Sequence, residues 1–160
     1  MVVMLAMSCV PVAPLAQTFT ATSGMPVRIE IAASCLVTAS DLDFGAYNAA
    51  TGAPTRGQTT IQLLCAPGLG AELALDAGSA AGATTMSRKL NSESSADRLD
   101  YGLFQDAARS VHWGDTTGTD TMEVLTTGAP QLVPVYGEIP AGQRTQPGTY
   151  SDVITVRVQF

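Results

Sequence analysis

Apolar and polar residues alternate with a period of two in several stretches of the chain. Val27, Ile29 and Ile31 alternate with Arg28 and Glu30, and Ile61, Leu63 and Cys65 with Thr60, Gln62 and Leu64. Ala71, Leu73 and Leu75 alternate with Glu72, Ala74 and Asp76, and Leu99, Tyr101 and Leu103 with Asp100 and Gly102. The clearest run sets Ile154, Val156, Val158 and Phe160 on one face and Thr155, Arg157 and Gln159 on the other. A period of two puts successive side chains on opposite sides of an extended backbone, so each run predicts a strand with one buried face. Turn-forming residues cluster at 48–57, 76–82, 114–118, 128–130 and 140–148. Pro134 interrupts the run from Leu132 to Tyr136. It has no N–H to give a ladder, so that strand is expected at an edge or with a bulge. No stretch keeps a helical period over a dozen residues. Short, evenly spaced strands predict an all-β sandwich.

Two features of this layout bear on function. The last run reaches Phe160, which predicts a sandwich one strand short. The first run, about Thr18 to Ile31, precedes the strands of the sandwich and is surplus to it. A sandwich short of a strand leaves an apolar groove, and a spare strand from a neighbour can fill it by strand addition. Donor-strand complementation of this kind is an established mode of recognition.

Composition sharpens the picture. Only 14% of the residues are charged, the net charge is −6, and Lys and Arg together number 8. Nucleic-acid binding needs clustered cations against phosphate, so it is not expected. The one close basic pair, Arg88-Lys89, reads as a solvated turn. Met1 to Ala16 is uncharged and apolar and ends on a small residue. That is the pattern of an export signal, although no basic residue follows Met1. It is shorter than the roughly 20 residues of a membrane span, so membrane insertion is not expected. The expected organisation is a signal over 1–16, a donor segment over 17–33 and one domain over 34–160. Export leads to the periplasm and then the cell surface. The chain has three cysteines. Removing the signal takes Cys9 away and leaves Cys35 and Cys65, which are expected to form a disulfide. Closing that loop stabilises by about 3–4 kcal/mol in the chain-entropy model.

The order of motifs adds a resemblance. Cys35-Leu-Val-Thr-Ala-Ser-Asp-Leu-Asp-Phe-Gly-Ala-Tyr47 is followed by Cys65, Leu75-Asp-Ala-Gly78, Arg88 and Leu99-Asp-Tyr-Gly-Leu-Phe104. Then come Trp113-Gly114, Tyr136-Gly-Glu-Ile-Pro-Ala-Gly-Gln143 and Gly148-Thr-Tyr-Ser-Asp-Val153. This ordered set resembles the spore coat protein U domain family, which includes subunits of archaic chaperone–usher pili. The resemblance implies an incomplete immunoglobulin-like sandwich with one disulfide, Cys35 to Cys65. It implies a periplasmic chaperone, an outer-membrane usher and neighbouring subunits as partners, with roles in adhesion and biofilm formation. It places the donor face at Val27, Ile29 and Ile31. It places one wall of the acceptor groove at Ile154, Val156, Val158 and Phe160. Pro26 limits the donor strand to about Val27 to Ala33 and leaves open whether Phe19 and Ala21 insert.

Candidate chemistry is sparse. His112 is the one histidine and stands beside Trp113-Gly114 with no nucleophile motif, so a surface histidine is expected. One histidine and two bridged cysteines make no zinc set. Gly78-Ser-Ala-Ala-Gly82 has its serine one place too early for a nucleophile elbow, and Gly68-Leu-Gly70 lacks the rest of a dinucleotide motif. Asp115 to Asp120 reads as a polar loop rather than a calcium loop. Asp97, Asp100 and Asp106 with Arg98 and Arg109 are expected as surface ion pairs. Tyr47, Tyr101, Trp113, Tyr136 and Tyr150 are expected to pack rather than form a sugar platform. No catalytic residue, metal or cofactor is expected. The leading expectation is a pilus subunit; the alternative is a self-complemented secreted binding module, such as a tip adhesin or lectin-like domain.

Overall fold

Every alternating run beyond residue 32 becomes a strand in the computed structural model, which describes residues 25–30 and 32–160. Residues 1–31 and 32–160 form separate units. Residues 25–30 carry no helix or strand. The strand expected there is absent over those residues, as physics requires of a lone extended segment whose N–H and C=O groups have no ladder partner. Cys9, Phe19, Ala21 and Ile31, with the signal expected over 1–16, lie outside the described residues.

The second unit is a two-layer β-structure. Its strands are β1 (Cys35–Ala39), β2 (Thr55–Cys65), β3 (Gly70–Leu75), β4 (Arg88–Ser92), β5 (Arg98–Phe104), β6 (Met122–Leu125), β7 (Gln131–Ile139), β8 (Tyr150–Ser151) and β9 (Val156–Gln159). One sheet runs β1-β2-β7-β5-β4-β8 and the other β6-β3-β9. All the pairings are antiparallel. The inward halves of the alternating runs meet in one core, with Ile61, Leu63, Leu73, Leu75, Leu103, Trp113 and Ile139 among its buried side chains. Three sequence expectations change here. Thr55 to Gly57, read as turn, belongs to β2. The terminal run forms a ladder only over Val156–Gln159. The strand containing Pro134 is central, with β2 on one side and β5 on the other.

The register explains how Pro134 survives there. The Ser40 amide donates to the Thr60 carbonyl at 3.1 Å, so Thr60 turns its backbone groups toward β1. Pro134 stands opposite Thr60, and its nitrogen therefore points away from β2. On that far side β5 has already ended, because its pairing with β7 stops at Phe104 opposite Tyr136. The edge is local, confined to one side of a central strand.

Cys35 and Cys65 are direct partners across β1 and β2 and form the disulfide, with Cα atoms 4.0 Å apart. Flanking hydrogen bonds, Ala66 N–H to Ser34 O among them, make this a pair without its own ladder bonds, where side chains approach most closely. The bridge ties the short edge strand β1 to the core.

The two sheets are joined by Arg88 and Trp113. The Trp113 indole N–H donates to the Leu73 carbonyl at 3.0 Å, and its amide donates to Leu103 at 2.9 Å. Arg88, read from sequence as part of a solvated turn, lies on β4 and is fully buried. Its guanidinium donates to the carbonyls of Asp76, Thr85, Leu75 and Trp113 at 2.7–2.8 Å. Burial pulls its pKa down from the ordinary value, yet a guanidinium stays protonated, and the carbonyl dipoles solvate it. Of the ion pairs expected between Asp97, Asp100, Asp106, Arg98 and Arg109, none forms among the described residues. Asp100 pairs with Lys89 at 2.5 Å, while Arg109 lies 4.0 Å from Glu138. Asp106 instead accepts from the amides of Ser110 and Val111 in its own turn.

Replacing both Cys35 and Cys65 by Ala is expected to lower unfolding free energy by about 3–4 kcal/mol. A urea titration should show the midpoint falling. Arg88→Met should cost more than a typical core substitution, because each buried carbonyl left without a donor costs about 1–3 kcal/mol. Arg88→Lys should recover only part of that, since an ammonium cannot span the same fork of acceptors. Full recovery by Lys would mean that charge alone matters.

Candidate functional site

β1 is the edge of the larger sheet and β9 an edge of the smaller one, and neither has a second ladder partner among the described residues. The two strands approach each other over part of their length, and beside that approach opens a cleft of about 300 Å³. One wall is the end of β1 with the chain that follows, from Ala39 to Leu42 and Phe44. The other is Ile154 and Val156, and the floor is core: Ile61, Leu75, Tyr101, Leu103 and Val135. Of the four residues expected to wall an acceptor groove, Ile154 and Val156 line this cleft. Val158 packs half-buried against the core without lining the cleft, and Phe160 lies past the end of β9, 55% exposed. Val27 and Ile29 are 81% and 86% exposed.

The wall after β1 was not visible from periodicity. Leu42 and Phe44 fold back onto a flat seat made by Gly57 and Gly137, which are paired across β2 and β7. A Cβ on Gly137 would lie 2.6 Å from the Phe44 ring and 2.7 Å from Leu42, so the seat requires bare backbone. Further along, the Tyr47 hydroxyl anchors the segment by accepting from the Gln143 amide at 2.8 Å. A signal was present in the apolar pair at 42 and 44, spaced two apart before a glycine.

One polar group intrudes on the cleft. Asp152 accepts from the Ser79 amide at 2.8 Å, the Ser79 hydroxyl at 2.7 Å and the Tyr101 hydroxyl at 2.8 Å. Burial, then the Asp152 hydrogen bond, push the Tyr101 phenol well above its ordinary range, so it remains a donor. Gly78 has φ +85° and faces Asp152; a side chain there would overlap the carboxylate. Nearby, burial raises the Asp76 carboxyl. Hydrogen bonds from Thr155 and Gly78, with the Arg88 charge, outweigh that and hold it below the usual range. Glu72, beside β9 at the far end, is lowered by the Thr121 hydroxyl and then the Gly118 amide.

His112 is half-buried rather than on the surface. Its ring lies 4.5 Å from Phe104, and its Nδ1 is shut from solvent without a partner. Trp113 and Tyr101 are core residues. Among the described residues no group of three or more His, Cys, Asp or Glu could hold a metal ion. Among them, too, no helix is long and apolar enough to cross a membrane.

The profile of the Spore Coat Protein U domain matches residues 21–157, most of the chain. The chain belongs to the spore coat protein U domain family. Protein U of Myxococcus xanthus is 32% identical over 158 residues, covering 91% of this chain and 88% of that protein. Among solved structures, the chaperone–tip adhesion subunit pre-assembly complex of the archaic chaperone–usher Csu pili of Acinetobacter baumannii is similar with a TM-score of 0.59 at 21% identity. The match covers 81% of this chain, which spans 40% of the solved one. That likeness is one of fold, a β-sandwich of two antiparallel sheets.

The depressed carboxyls set a pH dependence. A carboxyl with a lowered folded pKa adds stability that is whole above its unfolded value, near 4, and is lost as pH falls through the folded value. Urea midpoints should therefore hold from neutral pH to about 5 and drop below about 4. Asp76→Asn should be less stable at neutral pH and fall less steeply in acid. An equal acid slope in both proteins would remove Asp76 from the account.

Proposed function

We propose that this chain is a structural subunit of a surface pilus, assembled by the chaperone–usher route through donor-strand exchange. The observation that carries this reading is the pairing of an unfilled edge with a spare segment. β9 offers an open edge beside an apolar cleft, while Val27 and Ile29 present exposed apolar side chains at alternate positions. The acceptor wall is Ile154, Val156, Val158 and Phe160, and the donor face is Val27, Ile29 and Ile31 of a neighbour. Strand addition supplies main-chain hydrogen bonds for affinity and side-chain pockets for register. The family and the fold of the Csu complex support the reading, and they supply the partner classes: a periplasmic chaperone, an outer-membrane usher and further subunits. Adhesion and biofilm support follow from a fibre on the cell surface. The signal over 1–16 delivers the chain to the periplasm, and the 17–33 segment is the donor.

The role proposed is structural rather than catalytic. His112 packs at a tilt against Phe104 with Nδ1 sealed from solvent, so Nδ1 is not placed to take a substrate proton.

Cells expressing the chain with its chaperone and usher should yield an SDS-resistant ladder on unboiled gels that collapses to one band on boiling. Val27→Asp, Ile29→Asp and Ile31→Asp together should abolish it while leaving the monomer band. A single monomer band from the unaltered chain in both periplasmic and surface fractions would instead favour a self-complemented binding module.

A further inference from the structure

The open edge of β9 dictates which strand it can accept and in which alignment. The Asp76 amide donates to the Thr155 carbonyl at 3.2 Å, so Thr155 turns its backbone groups to β3. By alternation Arg157 and Gln159 do the same, and the groups of Val156 and Val158 face the open side. These two residues also point their side chains toward the core. An incoming antiparallel strand with its apolar face inward must therefore bond through its apolar residues. Residues 27–31 meet that demand: Val27, Ile29 and Ile31 carry the bonds, and Pro26, which lacks an N–H, turns its nitrogen away from β9. The proline that shortens the donor leaves this ladder intact.

Charge then selects among alignments. With Ile29 opposite Val158, Ile31 falls opposite Val156 and Val27 opposite Phe160. Glu30 falls opposite Arg157 and Arg28 opposite Gln159. A shift of two residues in one direction sets Arg28 against Arg157. The opposite shift leaves Arg157 facing Ala32. A shift of one turns the apolar face to solvent. Arg157 is exposed, and among the described residues its guanidinium makes only a 3.5 Å hydrogen bond, to the Asp115 carbonyl. Glu30 is exposed as well. Their pairing would be of the kind without ladder bonds, in which side chains stand closest and opposite charges contribute most directly. The antiparallel direction also covers Phe160, and it matches the sense of each strand pair in the domain.

We propose that a second copy of this chain docks residues 27–31 antiparallel to β9 with Ile29 opposite Val158, and that the Glu30–Arg157 pair fixes this register. The proposal rests on the donor-strand reading above and goes further by naming the alignment and the charge pair that fixes it.

The test uses the full chain assembled in cells with its chaperone and usher. A chain carrying both Glu30→Cys and Arg157→Cys should give a ladder that survives boiling and collapses on reduction. Arg28→Cys with Gln159→Cys should do the same, whereas Arg28→Cys with Arg157→Cys should still collapse on boiling alone. Cross-linking by the last pair but not the first would overturn the register and leave strand donation standing. Cross-linking by Arg28→Cys with Thr155→Cys, without the Gln159 pair, would overturn the direction. As a check independent of new thiols, Glu30→Arg and Arg157→Glu should each thin the ladder, and the two together in one chain should restore it. Failure of the double exchange to restore it would count against the ion pair. Absence of any ladder from the unaltered chain would remove the donor-strand reading, and this register with it.

Discussion

A single buried cation organises the junction on which the sandwich depends. Arg88 sits on β4 of the larger sheet, and its guanidinium reaches the carbonyls of Leu75 and Asp76 at the end of β3 in the smaller one. It also holds the Trp113 carbonyl, whose own indole donates back to β3 at Leu73. No carboxylate forms a salt bridge with it among the described residues. The charge is compensated by dipoles that would otherwise be unsatisfied at the end of a strand, so cation and carbonyls solve each other's desolvation. An apolar residue of equal size could fill the volume but would leave the carbonyls bare.

That junction also positions the cleft. Leu75 is on the cleft floor, and the next residue, Asp76, accepts from the amide of Thr155 on the approach to β9. The same chain of contacts continues from Asp152 to Tyr101 on β5. The wall formed by Ile154 and Val156 is thus held by the pairing of Val156 with Leu75 on β3 and by the hydrogen bonds of Thr155 and Asp152 on the approach to it. The opposite wall is held by different means, the Cys35–Cys65 bridge at one end of β1 and the seat of Leu42 and Phe44 on paired glycines beyond the other.

How much of this was legible depended on whether the cause was local. The runs at 61–65, 71–75, 99–103 and 154–160 announce strands because period-two burial is written in consecutive residues. The disulfide followed from counting cysteines once the signal was set aside. Arg88 misled because Arg-Lys looks solvated in isolation, and the acceptors that bury it come from residues 75, 76, 85 and 113. Pro134 misled for a related reason: a proline's penalty depends on which side its nitrogen faces and whether a strand is there, and neither is a property of the segment itself. Asp152 stood in a motif whose sequence gave no sign of its partner, since Tyr101 lies 51 positions away. In the cleft, Ile154 and Val156 were visible from their alternation, whereas the wall after β1 emerged only with its glycine seat.

On the donor-strand reading, the two separately anchored walls bear on how an incomplete sandwich can wait for a partner. A groove whose walls were free to collapse would hide its apolar floor by closing, and an incoming strand would then have to reopen it. Here the bridge and the glycine seat hold one wall while Arg88, Asp76 and Asp152 hold the other, so on the donor-strand reading part of the cost of ordering an acceptor is met during folding rather than at docking. The exposed floor and the bare edge of β9 are the other side of that arrangement. Each square ångström of apolar surface left open forgoes about 25 cal/mol, and an unpaired edge invites uncontrolled pairing. A domain built this way gains from keeping the open time short, which is the service a strand-lending chaperone would perform on the reading proposed above.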